Sequence, residues 1–213
     1  MTMQIGMVAT NGVVIASDTK WYDDTSGVRH TSSSTKHCMD SARGIAVACS
    51  GSDVSRLVGQ KIVEELAIED YSNPRFSVTQ IAKSIVGRLD HTFASCLIVL
   101  RGNNCIRLFS LDMKVNEYDF CEQNGIIWKG DITNSAVFFG EAYYSRRPTN
   151  DLLVLGAHTI LTAEKRNSGG IGGLEILVCN EEGFNLLSES ELDELRNTSA
   201  KIEAFERESL GIR

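Results

Sequence analysis

Short apolar runs separated by turn residues predict strands at the start of the chain. Asn11-Gly12 lies between one apolar run that ends at Ala9 and another that begins at Val13. An Asn-Gly pair in that setting is the strongest short-range signal for a tight β-hairpin. The Ser- and Thr-rich residues 19–35 are too polar for a core strand and predict a loop or groove edge, and a buried strand is predicted over 44–49.

Apolar residues at helical spacing predict two helices after this strand. The first covers about residues 53–69 and the second about residues 78–90, each with one apolar face. Asn73-Pro74 marks the break between them. We expect the two helices to be antiparallel neighbours in one layer.

The rest of the chain alternates predicted strands and helices. Strands are predicted over 96–101, 105–111, 114–120, 135–139, 174–179 and 183–187, a third helix over 150–165, and an amphipathic C-terminal helix after residue 188. This order predicts an α+β protein with the four-layer αββα sandwich of two antiparallel sheets flanked by helices. Because no linker or repeat divides the chain, a single domain over 1–213 is expected.

Composition narrows the classes of protein that fit. The 213 residues are 42% apolar and 23% charged, which is ordinary for a soluble globular protein. No apolar run approaches the roughly 18 residues of a membrane span, and no signal peptide is recognisable, so a cytoplasmic protein is expected. A net charge of −7 argues against nucleic acid as the main partner.

The cysteines and histidines give no sign of a metal site. The six cysteines have no C-x-x-C spacing, and the four histidines form no pair at metal-ligand spacing. Most of the cysteines lie within apolar runs, which favours reduced, buried thiols over a disulfide framework.

The candidate chemistry lies at Thr2 and Asp18, at the two ends of the predicted hairpin. Removal of Met1 would give Thr2 a free α-amine beside its hydroxyl, a pairing that supplies base and nucleophile together. A terminal amine, with a reference pKa of about 7.7–8.0, is suited to this role, and Asp18 could hold a lysine in place. The alternative is that Thr2 merely begins an edge strand and Asp18 forms a turn.

This block resembles the N-terminus of proteasome β-type subunits, the N-terminal nucleophile hydrolases that include the peptidase of the bacterial ATP-dependent ring protease. That family begins its mature chain with Thr and places an Asp sixteen residues later within a V-V-x-A-x-D stretch. Thr2 and Val13–Asp18 match without a gap, and the resemblance extends over nearly the whole chain. It implies the N-terminal nucleophile hydrolase fold and activity as a threonine peptidase.

The resemblance also implies roles for Lys36 and Gly51. Lys36 takes the place of the catalytic lysine, although it lies two positions later than the family's spacing of about sixteen residues after the Asp. Gly51 takes the place of the glycine whose N–H stabilises the oxyanion. In this scheme the amine of Thr2 moves the proton, Asp18 orients Lys36, and no metal or organic cofactor is needed. The alternatives are a strand-edge lysine and a helix-start glycine.

Several supporting residues depart from the family pattern. Aligned through the preceding arginine, the usual Asp of R-D-x-x-S-G-G is Asn167 and the usual Ser is Gly170. If the glycines of this segment are aligned with those of the family motif instead, Ser168 matches the usual Ser and Lys165 takes the Asp position. In the family's G-S-G segment, Glu141 stands at the Ser position. These residues orient the terminal amine and a water in the family, so their loss puts that support in question.

The resemblance places the substrate pocket near Trp21, Cys49 and Asp53. Cys49 is small and Trp21 is large, which favours an apolar residue before the cleaved bond. Asp53 would shift this preference toward basic residues.

The resulting hypothesis is a threonine-type endopeptidase subunit of a self-compartmentalising ring or barrel. It implies a homo-oligomeric ring with stacked rings, a peptide or unfolded protein as substrate, and an ATPase that unfolds substrates as a possible partner. Two alternatives remain: a catalytically idle structural subunit of such a ring, and an amidase that acts on small amides. A retained Met1 would cap the amine and block the proposed chemistry.

Overall fold

The computed structural model describes residues 2–23, 30–50, 53–86, 93–102, 105–114, 117–209 and 211. Within them lie twelve strands, five α-helices and one short 3-10 helix, Ile68–Ser72. The strands are β1 (Met3–Val8), β2 (Gly12–Ser17), β3 (Lys20–Asp23), β4 (His30–Ser33), β5 (His37–Asp40), β6 (Ile45–Ser50), β7 (Ala94–Arg101), β8 (Ile106–Met113), β9 (Tyr118–Gln123), β10 (Ile126–Gly130), β11 (Glu175–Asn180) and β12 (Gly183–Leu186). The α-helices are α1 (Asp53–Glu65), α2 (Arg75–Val86), α3 (Ala136–Tyr143), α4 (Thr149–Arg166) and α5 (Glu189–Ser209).

Sheet I contains the predicted N-terminal hairpin and has the strand order β10-β1-β2-β11-β12, with every pair antiparallel. The hairpin pairs Gln4 with Ser17 at one end and Val8 with Val13 beside the turn. Gly12 is required at this turn because a Cβ there would overlap the carbonyl oxygen of Cys179 on the neighbouring strand. The hairpin that the Asn-Gly pair predicts is therefore present.

Sheet II has the order β5-β6-β7-β8-β9 and is also antiparallel throughout. It faces sheet I through buried apolar side chains, which include Ile15 of sheet I and Ala48, Leu97 and Leu108 of sheet II. The strands β3 and β4 form a separate two-stranded ribbon. This ribbon occupies part of the Ser- and Thr-rich segment for which a loop or groove edge is expected.

Two further apolar cores hold the helices against the sheets. Val58 and Ile62 of α1 and Val78 and Ala82 of α2 are buried against sheet II. Residues of α3, α4 and α5 are buried against sheet I: Ala136, Val137, Leu152, Ala157, Ile160 and Leu192. Each helix thus contributes an apolar face to a core, as the spacing of apolar residues predicts for α1 and α2.

The expected four-layer αββα sandwich is wrong for this chain. The structure is α+β with two antiparallel five-stranded sheets, a separate ribbon and five α-helices. A local difference is the segment 135–139, for which a strand is expected but which lies almost entirely in α3. A short apolar run does not distinguish a buried strand from a helix by its periodicity. Here Val137 and Gly140 are buried whereas Phe138 is 71% exposed, which is the spacing of a helix face.

No helix in the described ranges is both long enough and apolar enough to cross a bilayer.

Candidate active site

Thr2 and Asp18 meet because they lie at the same edge of the β1–β2 hairpin. Thr2 precedes β1 and Asp18 follows β2, so the antiparallel pairing brings the two residues together across fifteen intervening positions. Two hydrogen bonds close this edge of the hairpin: the Asp18 N–H donates to the Met3 carbonyl over 3.1 Å, and the Met3 N–H donates to Asp18 Oδ1 over 2.9 Å. The Asp18 carboxylate is therefore held by the main chain next to Thr2.

Lys36 comes from the other sheet and completes a buried cluster. It lies immediately before β5, and its Nζ is 2.6 Å from Asp18 Oδ1 and 3.1 Å from Thr2 Oγ1. Thr2 is 4% exposed, Lys36 is 1% exposed and Asp18 is fully buried. Because a buried ammonium without a partner is very costly, the carboxylate of Asp18 explains how Lys36 can lie here.

Burial lowers the pKa of Lys36 below its ordinary value, although the adjacent Asp18 carboxylate opposes this shift. The lowered pKa follows from the cost of keeping a charge in a site from which water is excluded. A larger fraction of Lys36 is then neutral at a given pH than for an exposed lysine. A neutral Nζ at 3.1 Å from Oγ1 is within reach of the hydroxyl proton of Thr2.

A second contact, missed by the sequence reasoning, fixes the main chain of Thr2. The Asp131 N–H donates to the Thr2 carbonyl over 2.8 Å. Just before it, Gly130 has a φ of 91° and pairs with Met3 across β10 and β1. A Cβ at Gly130 would overlap the Thr2 carbonyl oxygen, so only glycine fits there. The available signal was the Gly-Asp pair at 130–131, which follows the apolar residues 126–128 after a single lysine.

Asn167 is linked to Thr2 through Asp131. Its Nδ2 lies 3.4 Å from Asp131 Oδ2, and Asn167 ends α4 with its N–H on the carbonyls of Ala163 and Glu164. Gly170 is buried beside it, and a Cβ at Gly170 would lie 2.9 Å from Asn167 Oδ1. The two departures from the family pattern are therefore neighbours in space.

Two of the expected supporting residues lie in other surroundings. Ser168 is exposed, and its carbonyl accepts a hydrogen bond from Lys20 Nζ over 2.8 Å. Glu141 lies within α3 and is exposed, not after a strand as the comparison with G-S-G assumes. Asp131, which follows β10, contacts the Thr2 carbonyl instead.

The expected substrate-pocket residues differ in their exposure, and Gly51 lies outside the described residues. Trp21 is 7% exposed, and the centroid of its ring lies 5.5 Å from Lys36 Nζ. Cys49 is fully buried in the core between α1 and sheet II, and its N–H donates to the Lys36 carbonyl over 2.8 Å. Asp53 is exposed at the start of α1. Of the three, Trp21 lies next to the cluster and Cys49 contacts the main chain of Lys36.

A buried carboxylate on β11, also missed by the sequence reasoning, contacts the main chain of Lys36. Glu175 Oε2 accepts the Lys36 N–H over 3.0 Å and lies 2.7 Å from His37 Nδ1. Burial alone would raise the pKa of Glu175, but hydrogen bonds from His37, Thr35 and the Lys36 N–H lower it below its ordinary value. Glu175 is therefore ionised at neutral pH.

The six cysteines form no disulfide with one another. All six cysteines are free, and burial raises the pKa of Cys179 to about 12. Cys105 and Cys121, in contrast, are exposed. Among the described residues no group of three or more His, Cys, Asp or Glu side chains is arranged to hold a metal ion.

The fold is similar to that of Anbu proteins. Anbu from Hyphomicrobium sp. strain MC1 has a TM-score of 0.74 at 13% identity, with 98% of this chain and 97% of that chain covered. A mutant of the same protein also gives 0.74 at 13% identity, over 99% and 97% of the two chains. Anbu from Yersinia bercovieri, described as an ancestral beta-subunit, gives 0.72 at 12% identity over 96% and 97%.

These comparisons correct the resemblance inferred from the motifs. No family model matches the sequence. Curated proteins likewise give no match. The assignment to the proteasome β-subunit family, in its bacterial proteasome-related branch, is therefore wrong, and the similarity that stands is to the Anbu fold. At 12–13% identity this similarity shows the fold alone.

Proposed function

We propose that this chain is an N-terminal threonine hydrolase that cleaves peptide bonds through the hydroxyl of Thr2 once Met1 has been removed. The observation that carries the proposal is the position of Lys36 Nζ between Asp18 Oδ1 and Thr2 Oγ1, at 2.6 Å and 3.1 Å. A hydroxyl is a weak nucleophile unless an adjacent base accepts its proton. Here the amine of Lys36, which is buried and has a lowered pKa, lies 3.1 Å from Thr2 Oγ1.

In the proposed reaction, Thr2 Oγ1 attacks the carbonyl carbon of the cleaved peptide bond and transfers its proton to neutral Lys36 Nζ. The α-ammonium of Thr2, formed once Met1 is removed, gives a proton to the leaving amine as the C–N bond breaks, which leaves a neutral α-amine. Water then attacks the ester on Thr2 and gives up a proton to this α-amine, which restores the ammonium, while Lys36 returns its proton to Oγ1. Asp18 stabilises the ammonium form of Lys36 between these two steps.

The main-chain contacts support this geometry. The Asp131 N–H and the glycine at 130 hold the Thr2 carbonyl, so that the side chain of Thr2 is presented toward Lys36. Catalysis depends on such positioning, because misplacement by about 1 Å can cost roughly 100-fold in rate. We retain the Gly51 N–H as the proposed oxyanion donor, following the strand β6.

The proposed assembly is a homo-oligomeric ring or barrel that encloses these sites. The similarity to an ancestral beta-subunit over 96% of this chain supports a role as a repeated subunit. Enclosure would restrict substrates to peptides and unfolded proteins, so an ATPase that unfolds proteins is the partner such a compartment would need. Electron microscopy of the purified chain tests the assembly directly: rings are expected, and isolated monomers would contradict it.

The activity is tested with fluorogenic peptides of increasing length beside a panel of small amides. We expect turnover that rises with peptide length, is lost in Thr2→Ala and is partly retained in Thr2→Ser, which keeps a hydroxyl. Faster turnover of the small amides would instead support the amidase. A chain that has lost Met1 but cleaves neither class would support the idle subunit, for which the departures at Asn167 and Gly170 are the specific observation.

A further inference from the structure

The main chain of Lys36 is held from two sides. Its N–H donates to Glu175 Oε2 over 3.0 Å, and its carbonyl accepts the Cys49 N–H over 2.8 Å. Glu175 belongs to sheet I and Cys49 to sheet II, so Lys36 is fixed where the two sheets meet. A long, flexible side chain reaches a defined point more reliably when its own Cα is fixed in this way.

The carboxylate of Glu175 is itself held in place. It is 8% exposed, lies opposite Ser17 in the register of β11 and β2, and has His37 Nδ1 2.7 Å from the same oxygen that accepts the Lys36 N–H. Within the part of the chain that the structure describes, His37 Nε2 and Ser17 Oγ are buried without a hydrogen-bond partner. The ring of His37 therefore has Glu175 as its one polar anchor among these residues.

Glu175 also adds a second negative charge near Lys36. The carboxylates of Asp18 and Glu175 both favour the protonated amine, in opposition to burial. His37 faces Glu175 from β5, and Arg56 faces the site from α1, with its guanidinium carbon 5.9 Å from the centroid of the Trp21 ring. The side chain of Lys20 is directed to the Ser168 carbonyl, while its N–H donates to Asp18 Oδ2 over 3.2 Å.

We propose that Glu175, held by His37, is a positioning residue for the reaction: its carboxylate fixes the main chain of Lys36, and its negative charge favours the protonated form of the Lys36 amine. The role of Glu175 in catalysis rests on the proposed function. Its effect on the protonation of Lys36 does not, because the protonation of an amine can be measured without turnover.

The test compares Glu175→Gln and Glu175→Ala with the parent chain. Glutamine keeps an oxygen that can accept the Lys36 N–H but removes the charge, so Lys36 should become neutral at a lower pH. Titration of the ¹³Cε signal of Lys36, assigned by its absence in Lys36→Arg, measures this shift. The acidic limb of the kcat profile should move in the same direction, with KM little changed.

Alanine removes the acceptor as well, so we expect kcat of Glu175→Ala to fall by about 10- to 100-fold. Glu122→Gln is the control, because Glu122 is also a strand carboxylate hydrogen-bonded to a side chain, that of Arg107, but belongs to β9. An unchanged Lys36 titration in Glu175→Gln would overturn the proposal, even if Glu175→Ala failed to fold. If the parent chain cleaved nothing, the proposed function would fail while the titration still decided the effect of Glu175 on Lys36.

Discussion

Asn167 occupies the space that a side chain at residue 170 would need, since a Cβ added to Gly170 would lie 2.9 Å from Asn167 Oδ1. The amide of Asn167 is directed toward Asp131, whose N–H holds the Thr2 carbonyl. Asn167 and Gly170 are therefore expected to act together and not independently.

This link predicts coupling between the two positions. Gly170→Ser should lower the free energy of unfolding by about 1–3 kcal/mol, because the new side chain displaces the Asn167 amide. In an Asn167→Ala background the same substitution should cost less, with a coupling energy of at least about 0.5 kcal/mol in a double-mutant cycle. Urea denaturation of the four proteins measures it. Equal costs in both backgrounds would mean that the residues act independently.

The rate of cleavage should rise with pH as Lys36 loses its proton, up to the pH at which the α-amine of Thr2, the proton donor to the leaving amine, loses its own. Burial lowers the pKa of Lys36, so the rise should be centred below the value of about 10.4 for a free lysine. In the interval between the folded and unfolded pKa values the unfolded chain binds one more proton, so the free energy of unfolding should also rise with pH there. A kcat profile and denaturation at matched pH values check both.

Lys36→Arg separates proton transfer from electrostatic stabilisation. A guanidinium stays protonated, so it keeps the charge beside Asp18 but cannot accept the Thr2 proton. We expect kcat to fall by about 10²–10⁴-fold and not to recover at higher pH. Lys61→Arg is the control, since Lys61 forms a surface ion pair with Glu65 and should tolerate the change. Near-normal turnover by Lys36→Arg would assign Lys36 a purely electrostatic role.

Gly130→Ala should damage the site more than the fold. The added methyl group would overlap the Thr2 carbonyl oxygen and displace Thr2 from Lys36, so a loss of about 100-fold in kcat is expected. Gly183→Ala is matched for backbone strain, with a φ of 133°, but its Cβ would have no neighbour within 4 Å among the described residues. It should lose stability and keep its activity. Similar kcat values for the two variants would exclude this role of Gly130.

Two buried strand serines should respond to alanine in opposite ways. Ser17 Oγ is buried with no hydrogen-bond partner among the described residues, so Ser17→Ala removes an unsatisfied group and should be neutral or stabilising. Ser95 Oγ donates to Asp112 over 2.6 Å, so Ser95→Ala should cost about 1.5–3 kcal/mol. Thermal or urea denaturation distinguishes them. A clear loss of stability in Ser17→Ala would indicate a partner for its hydroxyl.

The parts of the site that follow from local chain geometry could be predicted from sequence. The Asn11-Gly12 turn fixes the hairpin, and the hairpin brings Thr2 to Asp18. The sequence did not explain why Lys36 lies two positions farther from Asp18 than the motif comparison expects. The chain between these two residues includes the ribbon β3–β4, which the sequence did not predict.

The missed residues depend on pairings between distant segments. Asp131 reaches Thr2 only because β10 pairs with β1, and the segment 126–130 was not predicted as a strand. Glu175 reaches Lys36 across 139 positions, through a contact that no local pattern reveals. The segment 135–139 was predicted as a strand although residues 136–139 belong to α3, because a short, largely apolar run does not distinguish a strand from a helix.

Mass spectrometry of the intact chain after incubation with an epoxyketone tests the central claim most directly, because that reagent needs both the hydroxyl and the free amine of one terminal threonine. The account predicts a chain lighter by one methionine residue that gains one inhibitor, mapped to Thr2, with no gain in Thr2→Ala. A chain that cleaves peptides while retaining Met1, or an adduct mapped to another residue, would contradict it.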